Sequence, residues 1–147
     1  MSALDLFNFF SRFFLSGTVF VFVFFGSCTH EGAVEDTPAA KIIVIDTASG
    51  VYQEALSGPP ESFTMRSGLV TLSPGESAGE HSTESFEELV IVFRGRGEMR
   101  IRDGAVLSIG PGRLAYCPPN TTHDVVNTGT SRLQYLYVVA ESGRRSK

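Results

Sequence analysis

From residue 41 onward the chain is a succession of short apolar runs punctuated by glycine, proline and asparagine. Residues 41–46 (Lys-Ile-Ile-Val-Ile-Asp) are a β-branched run of strand length. Residues 63–72 hold a second run, closed by Ser73-Pro74-Gly75. Residues 89–93 (Leu-Val-Ile-Val-Phe) are apolar on both faces and stop before Gly95, with Glu88, Val90 and Val92 on one side and Leu89, Ile91 and Phe93 on the other. Residues 98–102 alternate, which puts Met99 and Ile101 together. Asp103-Gly104 is expected to make a two-residue hairpin turn with both residues at positive φ, after which residues 105–109 return antiparallel. Residues 114–117, 123–127 and 132–140 complete the series, and in the last Leu133, Tyr135, Tyr137 and Val139 share a face. Helical periodicity is nowhere sustained over about twelve residues. The pattern predicts an all-β sandwich or barrel.

The first 28 residues follow a different rule. Arg12 precedes an uncharged, largely apolar stretch at 13–25, rich in phenylalanine, and the small residues Gly26-Ser27-Cys28 follow. As a helix, thirteen such residues cover about 20 Å, short of a hydrocarbon core of ~30 Å. The segment 1–27 therefore reads as a signal peptide, and Phe25-Gly26-Ser27-Cys28 is similar to a bacterial lipoprotein box with Cys28 as the lipidated residue. An uncleaved N-terminal anchor and plain secretion are the alternatives, since apolar character extends back through Leu6, Phe7, Phe9 and Phe10. Each reading places the domain outside the cytoplasm, lipid-anchored in the bacterial cell envelope in the first case. Residues 28–40 read as a flexible tether that carries a solvated His30, residues 41–140 as one domain, and 141–147 as a disordered polar tail.

A length of 147 residues suits one domain, and a net charge of −4 gives no electrostatic reason to expect nucleic acid. With Cys28 assigned to lipidation, Cys117 stands alone in the domain, and its place in an apolar run marks it as a buried small hydrophobe. Arg94, Arg96, Arg100 and Arg102 share even numbering; they read as a solvated outer face, or as an anion-binding stripe, with intervening glycines positioned to break the register.

Candidate chemistry comes from two glycine-punctuated patterns, Gly75-x5-His81-x-Thr83-x4-Glu88-x6-Gly95 and Gly112-x5-Pro118-x-Asn120-x2-His123-x3-Asn127. They use two of the three histidines of the chain. These patterns resemble the paired motifs of the cupin superfamily, specifically the small single-domain cupins, over roughly residues 63–139. Two positions depart: Thr83 stands where the family's second histidine belongs, and Asn120 where a glycine follows the proline. Asn120 tolerates a left-handed conformation, so it is the milder change.

The resemblance implies a double-stranded β-helix, or jelly roll, with His81, Glu88 and His123 converging on a divalent metal ion. Two imidazoles and one carboxylate suit Fe(II), with Mn, Zn, Ni or Cu as alternatives. A metal-free polar pocket is the competing reading, because Thr83 removes one ligand. Thr83 and Tyr116 are expected to contact substrate or a metal-bound water; Glu80, Glu84 and Glu87 are further carboxylates nearby, with Glu87 directed away from Glu88. The prolines, Asn120 and Asn127 are expected to shape turns. The implied function is an exported protein that binds or transforms a small molecule, as an oxygenase or isomerase or as a non-catalytic binding module. Its expected partners are a small-molecule ligand, the membrane through a lipid anchor alone, and a second copy, since the Leu89, Ile91 and Phe93 face needs covering by that copy or by the 41–46 run.

Overall fold

The computed structural model describes residues 37–143. The signal segment, Cys28 and His30 lie outside the described residues. Among the described residues nine strands follow one another: β1 (Gln53–Ser57), β2 (Arg66–Leu72), β3 (His81–Ser82), β4 (Phe86–Arg94), β5 (Gly97–Ile101), β6 (Val106–Ile109), β7 (Leu114–Cys117), β8 (Thr122–Val126) and β9 (Leu133–Glu141). Among the described residues there is no helix. The strands form a five-stranded sheet of order β1-β2-β9-β4-β7 and a four-stranded sheet of order β3-β8-β5-β6, all neighbours antiparallel. This is the all-β jelly roll that the alternating pattern and its resemblance imply.

Register decides which side chains line the interior, because strand residues alternate between faces. In the larger sheet Glu88, Val90 and Val92 of β4 stand opposite Val139, Tyr137 and Tyr135 of β9, while Cys117 and Ala115 of β7 flank Glu88 and Val90 on the other side. In the smaller sheet Met99 faces Val125 and Ile101 faces His123. Met99, Val125, Val90, Leu133, Tyr135, Tyr137, Val139 and Cys117 belong to one buried cluster, so apolar burial between the sheets supplies the main stabilisation.

Several expectations are corrected. Residues 41–46 form no strand; Ile42 is 92% and Val44 88% exposed. The edge position beside β2 is taken instead by β1, whose Gln-Glu-Ala-Leu-Ser sequence lacks strong β-formers and whose pairing shifts register between Glu54 and Leu56. The β5–β6 connection is a longer loop, with the ladder closing at Arg100 and Val106; Asp103 is left-handed at φ 54° and Gly104 is not. β9 runs on to Glu141, and Ser142 donates from both its amide and its hydroxyl to the Ser85 carbonyl, so the chain is held two residues past the expected end. The arginines make no continuous stripe: the β4–β9 register shifts between Val92 and Arg94, and Gly95 follows at φ 83°.

Candidate metal centre

His81 and His123 come from β3 and β8, where they are paired directly across the ladder. Glu88 comes from β4 in the other sheet and points inward between Val139 and Cys117. One donor atom from each of the three residues lies within 4.8 Å of the others. His123 Nε2 is 3.2 Å and His81 Nε2 3.7 Å from Glu88 Oε2. Donors about 2.1 Å from a shared ion stand roughly 3.0–3.6 Å apart at angles of about 90–120°, so these separations fit one coordination sphere.

His123 is fully buried, and neither of its ring nitrogens has a hydrogen-bond partner; the 3.2 Å approach to Glu88 lacks hydrogen-bond geometry. An unsatisfied buried imidazole nitrogen is costly, and an ion coordinated at Nε2 would relieve that cost. In His81, Nδ1 lies 2.8 Å from the Gly79 carbonyl oxygen, an acceptor. That contact engages Nδ1 as the donor and turns Nε2 towards Glu88, the orientation a metal ligand at Nε2 needs.

Gly79 is itself fixed. Its amide donates to Ser77 Oγ (2.9 Å) and to Asp124 Oδ1 (3.0 Å), and Ser77 Oγ donates to Asp124 Oδ2 (2.7 Å). Asp124 follows His123 in sequence, so one strand supplies a ligand and the group that orients the other ligand. Sequence reasoning missed this shell, because the contact to His81 runs through a main-chain carbonyl that no residue type announces.

Burial works to raise the Glu88 carboxyl, but the His123 and His81 rings outweigh it and hold its pKa down to about 2. Burial pushes the His81 imidazole down, whereas the Glu88 carboxylate, the Gly79 carbonyl and Asp124 together raise it above its ordinary value. The centre is an anion flanked by two imidazoles, one of them made more basic.

The other candidate residues have protein partners of their own. Thr83 is buried, donates through Oγ1 to the Pro118 carbonyl (2.8 Å) and accepts from the Thr121 amide (2.9 Å). It fastens the turn before β8 to the end of β3. Tyr116 is on the outer face of β7, 53% exposed, and donates to Glu87 Oε2 (2.9 Å). It is therefore directed away from the cluster, as is Glu87. Glu80 pairs with Arg102 on the rim, and Glu84 is an exposed turn residue with φ 48°. Asn120 takes φ 58°. Asn127 donates to the Leu72 and Ser131 carbonyls and accepts from the Gly129 amide, which closes the β8–β9 turn and ties it to the end of β2. Cys117 packs its sulfur 3.3 Å from Met99 Sδ, and burial first, then the Glu88 charge, push its thiol up to about 12. It is a neutral wall of the site.

The family profile for the cupin domain matches residues 68–139. Among curated proteins no match is found. A cupin 2 conserved barrel domain protein from Salinispora arenicola superposes with a TM-score of 0.58 at 27% identity, covering 71% of this chain and 91% of its own. A predicted oxalate decarboxylase from Thermotoga maritima gives 0.57 at 25% identity, covering 62% and 79%. An RmlC-like cupin with a double-stranded β-helix from Methanocaldococcus jannaschii gives 0.60 at 16% identity, over 69% and 91%, a likeness of fold alone. With two inward histidines and a glutamate set in this barrel, the chain belongs to the cupin type-2 family.

Proposed function

We propose that this cupin is an exported protein that holds a divalent metal ion at His81, Glu88 and His123 and binds or transforms a small molecule beside it. The observation that carries the reading is a fully buried His123 without a hydrogen-bond partner, sharing a coordination-sized space with an ionised Glu88 and with His81 turned to present Nε2. Such an ion supplies Lewis acidity or one-electron chemistry, of the kind oxygenases and isomerases use. The chain's own residues preset the donors: Gly79 and Asp124 orient His81, and burial excludes competing water from His123 and Glu88. Three protein donors leave coordination positions open, because Thr83 is engaged with Pro118 and Thr121. The likeness to a predicted oxalate decarboxylase adds small carboxylates to the compounds worth testing.

A non-catalytic module that holds a metal or small ligand is the second reading. It is favoured by Thr83 and Tyr116 both being committed elsewhere, which leaves neither placed as a proton-transfer group. Elemental analysis of the purified chain separates a metal centre from a metal-free pocket: near-stoichiometric metal is expected, and its absence would remove the proposal. Oxygen uptake by the loaded protein with enols, thiols, aromatic diols and small carboxylates then separates enzyme from binder.

We place the domain in the bacterial cell envelope, tethered by lipid on Cys28. The apolar 13–25 stretch and the small residues before Cys28 support this, and mass spectrometry of the mature N-terminus tests it. A homodimer is supported by the exposed Phe93, Leu114 and Tyr116 on one sheet face, by β7 standing at that sheet's edge, and by the exposed β-branched 41–46 run. A monomeric mass by light scattering would exclude it.

A further inference from the structure

The arginines singled out in the sequence have separate fates. Arg100 grips the Glu98 carboxylate through Nε (3.0 Å) and Nη2 (2.9 Å), Arg102 pairs with Glu80, and Arg94 donates to the Thr47 carbonyl (2.9 Å). The Arg96 guanidinium has no hydrogen bond or ion pair among the described residues.

Arg96 lines a hollow of about 990 Å³ formed by the β4–β5, β6–β7 and β8–β9 connections. The hollow lies at the end of β5 away from His123. His123 stands opposite Ile101, whereas the hollow begins at Gly97, roughly 13 Å along the strand. Its second cation is Arg113, which reaches only the Ser108 carbonyl, at 3.4 Å. The one carboxylate in its wall, Glu98, is neutralised by Arg100. The hydroxyls of Thr128, Thr130 and Ser131 complete the lining and have no hydrogen-bond partner among the described residues. An adjoining hollow of about 430 Å³ adds Arg94 and Arg132.

The mounting of Arg96 is stiff. A Cβ at Gly95 would overlap the Arg132 carbonyl oxygen, and one at Gly97 the Val126 carbonyl oxygen, so the backbone on both sides of Arg96 is clamped against neighbouring segments. Fixing the backbone of a guanidinium reduces the ordering required when it binds a ligand. A planar fork, a second cation and several hydroxyls match the oxygen array of a tetrahedral oxyanion.

We infer that this hollow is an oxyanion site, independent of the metal centre, that takes a phosphate group against Arg96 and Arg113. The phosphate comes either from a free anion or from a diester headgroup. The full chain, held in mild detergent and chloride buffer, is titrated calorimetrically with inorganic phosphate and, separately, with glycerophosphoglycerol. Saturable one-to-one binding of either is expected, with R96A weakening it at least tenfold and R96K falling between. Metal content should stay the same in R96A, which separates this site from the centre at His81, Glu88 and His123. Preference for inorganic phosphate identifies a free anion, and preference for the diester identifies a headgroup. Failure of both to saturate, or unchanged binding in both R96A and R113A, overturns the inference.

Discussion

His81 and His123 are direct partners across the β3–β8 ladder, with ring centroids 4.4 Å apart and planes tilted by 58°. Directly opposed residues on one sheet face are its closest side-chain neighbours. Two histidines 42 positions apart in the sequence thus become side-by-side neighbours, and Glu88 meets them from the opposing sheet.

Removing a donor should empty the centre. Glu88→Gln keeps shape while deleting the anionic oxygen, and His123→Ala removes a buried nitrogen. Both variants should fall from near-stoichiometric metal to background in elemental analysis. Glu88→Gln should retain a wild-type far-ultraviolet spectrum, so retained metal in that variant would contradict the donor assignment.

Asp124 reaches His81 through the Gly79 amide and carbonyl, so its effect on an ion bound there would be indirect. Asp124→Asn should weaken metal affinity by about 10–100-fold, the usual scale for groups that orient a ligand. Competition against a chromophoric chelator reads this directly, and an unchanged dissociation constant would count against the orienting role.

Without metal, pH dependence follows from the two shifted groups. His81 is raised above its ordinary 6.5, so the stability it contributes is complete below about 6.5 and is lost as pH climbs through its folded value. Glu88 is lowered from 4.5 to about 2, so its contribution is present above 4.5 and lost as pH falls towards 2. Urea midpoints in excess chelator should therefore be highest between roughly pH 4.5 and 6.5. A midpoint that rises steadily from pH 6 to 8 would speak against the His81–Glu88 coupling.

Thr83→Val should destabilise the fold by about 1–3 kcal/mol, since the Pro118 carbonyl and Thr121 amide lose their common partner. For a domain of this size that corresponds to a melting shift of several degrees. Metal stoichiometry should be retained, because Thr83 is not one of the donors.

Cys117 should resist alkylation in the folded protein and react fully in denaturant. Its thiol is buried against Met99 and lies far above the range in which thiolate forms at neutral pH. Peptide mapping after maleimide treatment distinguishes it from Cys28.

What the sequence disclosed and what it withheld have physical reasons. Strands β2, β4, β5, β7, β8 and β9 are legible because apolar residues recur with the period of the pleat, and the ligand positions because two motifs carry them. The 41–46 run carries the same composition without a partner: β-propensity registers suitability for a half-buried surface, and pairing depends on which edge the chain reaches. Tyr116 is instructive in another way. Cys117 was expected to be buried, and strand alternation then puts its neighbour Tyr116 outside. The role of Thr83 was hidden because its partners are backbone groups of a turn that is distant in sequence.

The division of donors between the two sheets has a mechanical consequence. An ion gripped by all three residues would fasten one leaf of the barrel to the other, much as a rivet joins plates. Metal at a hundredfold excess over its dissociation constant should add about 2.7 kcal/mol of stability. Amide exchange should then slow in β4 and β8 together, two segments that share no ladder.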